Sequence, residues 1–375
     1  MTMEQQATFE QQIAWSREHM PRLKLGLERL PDMTGVRLAC SMHLDLKMIP
    51  FVAGLQAKGA DLFITTCNPA TVRDQVVAVM RDNGARVEAW RDMPADAYHS
   101  ATVEALRWRP THLCEMGADL SYELLRNQAL SPVRQGVQAS VEATGSGINR
   151  LEQLDLPYPV FNWDDLPIKE GLHNRHMVGL TTWQTFFERT HLTLHEKQVL
   201  VIGYGSVGQG IARMARAYGG MVTIVEKDPT RAIEARYDGW LARPLEDVIG
   251  QADVIVTATG ARGVIAAEHL PLLKDKVFLL NCGHQDAEID VAALRAYPAE
   301  QVLPHIEAFT IGHKRVYLLA GGSMFNLTAG QGDSLNAFDV TLATLVSGIG
   351  HIVGSGANWP PGVHLLPRQV WEKVI

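Results

Sequence analysis

Six residues near the middle of the chain, Gly203-Tyr-Gly205-Ser-Val-Gly208, restrict the fold more than any other feature because of what flanks them. The apolar QVLVI runs straight into the first glycine, and the helical QGIARMARAYGG runs out of the last. A strand, a glycine turn and a helix in that order form the context in which this spacing carries meaning. One glycine permits the tight turn, one lets a pyrophosphate approach the backbone, and one lets the helix pack on the strand. Ser206 and Val207 open the helix whose N-terminus faces the negative phosphates. Glu226 closes the next strand, MVTIVE, where an acid accepts hydrogen bonds from an adenosine ribose diol. The expected ligand is therefore NAD rather than NADP.

The rest of the chain fits an α/β protein built from two Rossmann-like units. VRLACSMHL, ADLFITTCN and THLCEMGADL read as strands separated by helical spacing such as QVVAVMRDNGA. The alternation restarts at Lys197 with QVLVIG, MVTIVEKD, ADVIVTATG and KVFLLNCG. Between the two lies LDLPYPVFNWDDLPIKEGLHNRH, rich in proline and polar residues and read as a hinge, followed by the helical GLTTWQTFFERTHL. DSLNAFDVTLATLVSGIGHIVG reads as a buried helix returning to the first unit. The expected organisation is a substrate domain over 1–178 and 335–375, with an NAD-binding domain over 179–334 inserted in it. A cleft between the domains would hold the active site.

Strand ends supply further candidates, because ligands of such sheets sit outside the carboxyl ends of the strands. Thr257 and Thr259 follow one strand, and Gly283 and His284 follow the next, which makes them the expected lining of the nicotinamide side. Composition excludes other classes. A net charge of −7 and a pI near 6.1 give no basic footprint for phosphate backbones, so a small-molecule partner is expected and a nucleic-acid one is not. The start, MTMEQQATFEQQ, lacks the apolar stretch of a signal peptide, and no later run reads as a membrane span. A cytoplasmic enzyme without a membrane partner is expected. Cys40, Cys67, Cys114 and Cys282 lie far apart with no CxxC pair, which argues for buried thiols and against a disulfide framework or a metal site.

VIGYGSVGQGIA, NCGHQDAEID and PPGVHLLP resemble the glycine loop, the GHFDVEID-like segment and the PVGVHFLP-like segment of S-adenosyl-L-homocysteine hydrolases. CSMHLDL, TTCNPATVRD, EMGADLS, VEATGSGI and IKEGLHN follow in that family's order and approximate spacing. The resemblance implies transient oxidation of a secondary alcohol by bound NAD, then elimination and hydrolysis at the neighbouring carbons. It implies catalytic roles for His43 near the 5′ leaving group, for Lys169 at the 3′ hydroxyl, for Asn174, which matches the family asparagine shortly after that lysine, and for His284. His173, standing where the family has an aspartate, is carried with them. It also implies that Asn326 contacts the nicotinamide carboxamide and that Thr144 lies at the substrate. A homo-oligomer, dimer or tetramer, is implied too, although the sequence ends at VHLLPRQVWEKVI without a counterpart of the family's tail.

Departures from the family cluster at the substrate. Met116 replaces an acid-base aspartate, and Val178 replaces a cysteine. The ribose-gripping glutamate corresponds either to Ala143 or, with a one-residue slip, to Glu142. Asp45 and Lys47 stand at the adenine edge, Asp333 replaces a histidine and Arg73 a glutamine. A pocket built for one hydrogen-bonding partner rejects another strongly, so a nucleoside-like or sugar-like substrate other than adenosylhomocysteine is expected. Cationic Lys47 and Arg73 would suit an acidic or carbonyl-bearing group. The same ketone chemistry could serve a dehydratase or epimerase, and a non-catalytic NAD-binding regulator is the reading from another class.

Overall fold

The computed structural model describes residues 8–284 and 287–375. Residues 1–7 of the amino-terminal stretch, and Gln285 and Asp286 of NCGHQDAEID, lie outside the described residues. The chain forms two compact units, Met1–Lys169 with Leu335–Ile375 and Glu170–Ser334. Residues 170–178, read from sequence with the first unit, belong to the second. The reason is backbone packing: a Cβ on Gly210 would lie 2.1 Å from the carbonyl oxygen of Arg175, so this stretch lies directly on the helix that follows the glycine turn.

The first unit is a seven-stranded parallel sheet. Strands β1 (Arg37–Met42), β2 (Asp61–Thr66), β3 (Arg86–Glu88), β4 (His112–Glu115), β5 (Ala139–Glu142) and β6 (Pro159–Asn162) are joined by the last strand, Gly362–Leu365. The order is last strand, β6, β5, β4, β1, β2, β3. All but the first residue of β1 and of β2 are buried, which is why both read as apolar runs and not as alternations. Strand order reverses at β1, with β2 on one side and β4 on the other, and the carboxyl ends there form a topological switch point. The strand β6 lies inside the stretch read as a hinge. Its four residues are fully buried, but they are too few to show a period beside three prolines.

Helix Leu335–Gly354 belongs to this unit. It is long and apolar enough to cross a bilayer, contrary to the reading that no run is, yet most of it is buried in the unit's own core through Leu342, Leu345, Val346 and Ile349. Buried Asp339 on it accepts hydrogen bonds from the Arg22 and Leu23 amides at 3.0 and 2.6 Å. Helix Pro21–Glu28 starts at Met20 with no side-chain cap of its own, so Asp339 satisfies its orphan amides from far along the chain.

The second unit has eight strands: β7 (Gln198–Ile202), β8 (Met221–Val225), β9 (Leu241–Ala242), β10 (Val254–Thr257), β11 (Phe278–Asn281), β12 (Ala299–Leu303), β13 (Ile306–Ile311) and β14 (Lys314–Leu319). The parallel part runs β9, β8, β7, β10, β11, β14, which is the dinucleotide-binding order with its switch point between β7 and β10. β12 and β13 extend the β14 edge antiparallel. Trp163 and Trp183 are buried in the cores of the first and second units respectively. The four cysteines are buried and none is in a disulfide.

Candidate functional site

The glycines of the turn separate into the three roles. Gly203 follows β7 with φ of 100°, and a Cβ there would lie 2.5 Å from the Ala258 carbonyl oxygen after β10. Only glycine meets both demands. A Cβ on Gly208 would lie 2.0 Å from the Gly203 oxygen, so its absence lets helix Ser206–Ala217 press onto the turn. Gly205 has an ordinary φ of −73°, and a Cβ there would meet only Arg231 Nη1 at 3.4 Å. That is the open backbone a pyrophosphate approaches. Ser206 donates from Oγ to Glu170 Oε1 at 2.7 Å, and Val207 packs partly buried on the core.

Glu226 follows β8 and accepts from the Tyr204 amide at 2.7 Å and the Asp228 amide at 2.9 Å. A carboxylate offers about four lone-pair sites. Clamping the turn uses two of them, and a ribose diol can take the others.

On the nicotinamide side, buried Thr257 donates to Asn281 Oδ1 at 3.1 Å, and Asn281 bridges to Gly283 through both its amide groups. His284 follows, partly buried. Glu288, unmarked in the sequence reading, organises this end. It accepts from the Thr259 amide at 3.0 Å, the Thr259 hydroxyl at 2.8 Å and the Gly260 amide at 2.7 Å. A Cβ on Gly283 would lie 1.7 Å from Glu288 Oε1, so the glycine is required by the acid. Burial pushes the Glu288 carboxyl above its ordinary value and raises the Cys282 thiol to about 12. Its sequence signal was an acid flanked by Ala287 and Ile289 in NCGHQDAEID.

Asn326 is buried and donates from Nδ2 to Thr181 Oγ1 at 3.2 Å, while its Oδ1 meets no donor among the described residues. An orphaned buried acceptor is costly, and an amide N–H of a nicotinamide carboxamide is the group that would satisfy it. Glycine turn, ribose acid and carboxamide acceptor together fit NAD. His173 and Asn174 lie on the π-helical turn Lys169–Met177, and buried His173 Nε2 stands 3.3 Å from Asp333 Oδ2. Two positions that depart from the family thus touch each other.

In the first unit the expected residues follow successive strands. His43, after β1, bonds through Nδ1 to Thr71 Oγ1 at 2.8 Å, and Thr71 Oγ1 donates to the Asn68 carbonyl at 2.8 Å. The threonine proton is therefore spent, Nδ1 carries the hydrogen, and Nε2 is the basic nitrogen. Asp45 and buried Lys47 form an ion pair at 2.8 Å, and Asp45 Oδ1 also accepts from the Lys47 amide. The Lys47 ammonium lies 5.4 Å from the Phe338 ring centre. Arg73 is half-buried at the start of helix Asp74–Asp82, its amide bonded to the Leu44 carbonyl.

Lys169 Nζ lies 3.6 Å from Asp164 Oδ1 and 5.6 Å from the Trp163 ring centre. Asp164 also went unmarked, because the short strand β6 that positions it was not legible in the sequence. Thr144 caps helix Gly145–Leu151, accepting from the Gly147 amide and donating to Glu142. Glu142 is fully buried and accepts from the Gly117, Ala118 and Thr144 amides as well. Burial and neighbouring Glu115 push its carboxyl up. Glu142 is held by the backbone and by the Thr144 hydroxyl, and Ala143 is buried beside it. Met116, buried after β4, offers no proton.

Comparison with known proteins agrees with this geometry. Residues 184–332 match the family description S-adenosyl-L-homocysteine hydrolase, NAD binding domain, and residues 2–146 match S-adenosyl-L-homocysteine hydrolase. The S-inosyl-L-homocysteine hydrolase of Methanopyrus kandleri is 33% identical, over 96% of this chain and 88% of its own. The adenosylhomocysteinase of Thermococcus kodakarensis is 33% identical over 97% of this chain and 89% of its own. That of Thermotoga maritima is 31% identical over 98% and 93%. The chain therefore belongs to the S-adenosyl-L-homocysteine hydrolase family of NAD-dependent hydrolases, and the second unit carries its NAD-binding domain.

Proposed function

We propose that this enzyme hydrolyses a nucleoside thioether of homocysteine whose base carries a ring carbonyl, as hypoxanthine does, in preference to the adenine compound. The observation that carries the reading is the ion pair of Asp45 with buried Lys47. Asp45 is held by the ammonium and the amide of residue 47, and the more deeply buried member of the pair is that ammonium, with three N–H donors and no acceptor. Its complement is an oxygen. A carbonyl at the base edge supplies one, whereas adenine places an amino group there, and burying donor against donor is costly. The S-inosyl relative from Methanopyrus kandleri is consistent with such a base in this family.

When bound, NAD supplies a reversible hydride acceptor for the ribose 3′ carbon. Lys169, oriented by Asp164, serves the 3′ hydroxyl proton, with Asn174 beside it in sequence. His43, its Nδ1 held by Thr71, uses basic Nε2 to take the C4′ proton that the neighbouring ketone acidifies and passes it to the departing thiolate; it then takes a proton from the entering water and returns it to C4′. The thioether C–S bond breaks, a C–O bond forms, and nucleoside and thiol leave. Met116 contributes no proton transfer, so His43 does both tasks.

The test is product analysis after incubating NAD-loaded protein with S-inosylhomocysteine and S-adenosylhomocysteine side by side. Inosine and homocysteine should form at least tenfold faster than adenosine and homocysteine. Equal rates, or faster release of adenosine, would show the base reading to be wrong. Lys169→Ala should abolish reduction of bound NAD by substrate, and unchanged reduction would remove Lys169 from the 3′ position.

A further inference from the structure

Thr181 sits buried on helix Val178–Thr190, within the NAD-binding domain. Its hydroxyl has one proton and faces three groups that only accept: the Met177 carbonyl at 3.0 Å, the Val178 carbonyl at 3.3 Å and Asp333 Oδ1 at 3.5 Å. The proton goes to that side. The oxygen lone pairs are then what Asn326 meets at 3.2 Å, and lone pairs require the nitrogen end of the asparagine amide there. The amide oxygen must point the other way, and that is the buried atom for which no donor exists among the described residues.

An asparagine amide is nearly symmetric in shape, so packing alone leaves its two ends interchangeable, and hydrogen bonds decide between them. We infer that Thr181 is a positioning residue that turns the Asn326 amide oxygen outward, so that the cofactor site distinguishes a pyridine carboxamide from the same ring bearing a group without N–H. Asp333 strengthens the choice, because a carboxylate beside the hydroxyl draws its proton away from Asn326. The inference rests on the placement of the nicotinamide at Asn326. It concerns cofactor recognition and is independent of the nucleobase proposed above.

The experiment is calorimetric titration of the full-length, cofactor-stripped protein with NAD, with 3-acetylpyridine adenine dinucleotide and with ADP-ribose. The acetylpyridine compound replaces the amide NH₂ by a methyl group, and ADP-ribose lacks the pyridine altogether. The native protein should prefer NAD over the acetylpyridine compound by about tenfold, the worth of one buried hydrogen bond. Thr181→Val should bring that preference to within about twofold and leave ADP-ribose affinity unchanged, Thr181→Ser should keep the native preference, and Asn326→Ala should lose it. Thr181→Ala gives the same reading if the valine variant does not fold, which absent ADP-ribose binding would reveal. Preference lost in Asn326→Ala but kept in both Thr181 variants would overturn the role of Thr181 while leaving Asn326 at the carboxamide. Preference kept in all of them would overturn the placement of Asn326, and this inference with it.

Discussion

Replacing Glu288 by alanine removes the acceptor from two backbone amides and a hydroxyl together, those of Thr259 and Gly260 after β10. Each orphaned group costs about 1–3 kcal/mol if it stays dry. The emptied space is lined by polar groups and can admit water, which repairs part of the loss. A loss of about 3 kcal/mol from the second unit is expected, together with at least tenfold weaker NAD binding, because the freed loop lies at the ligand end of β10. Glu288→Gln keeps one oxygen for the amides and should cost less. Gly283→Ala supplies the sharper control. Its Cβ would sit 1.7 Å from Glu288 Oε1, so it should be severely disruptive in the native background and far milder with Glu288→Ala, a coupling well outside additivity. Denaturant titration followed by circular dichroism gives the stabilities, and calorimetry gives NAD affinity. Additive effects of the two substitutions, or a Glu288→Ala protein within 1 kcal/mol of native with native NAD affinity, would refute the account.

Glu115 is fully buried in the first unit, and burial raises its carboxyl from an ordinary 4.5 to about 7. The folded state therefore holds a proton that the unfolded state has released, and the stability this contributes is fully present below about pH 4.5 and lost as pH rises through 7. Glu115→Gln should flatten that fall, which denaturation at pH 5 and pH 8 would measure, and parallel slopes for both proteins would exclude it. Asp339→Ala should cost about 1–2 kcal/mol by uncapping helix Pro21–Glu28. Asparagine, which keeps an acceptor, should restore most of this, and equal stabilities for all three proteins would show that solvent caps the helix equally well.

What the sequence determined by itself was local. The strand, glycine turn and helix around Gly203–Gly208 are specified by residues adjacent in the chain, since a positive φ and the lack of a Cβ are properties of single positions. Glu226 was legible because it closes the neighbouring strand, and β1, β2, β7, β10 and β11 were legible because buried parallel strands are apolar throughout. The strand β6 was not, being four residues among prolines. Tertiary structure decided the partners. The sequence offered Asp45 and Lys47 as two separate charges, and the fold makes them one pair. It offered Glu142 as an alternative ribose ligand, and the return of the Gly117–Ala118 loop from β4 takes up its oxygens. His173 and Asp333 lie far apart in the chain and become neighbours only when residues 170–178 join the second unit. Hydrogen-bond partners depend on which strands lie side by side and on where each chain segment returns. No run of neighbouring residues carries that information, so the cofactor motif could be read from the chain and the commitments of the charged side chains could not.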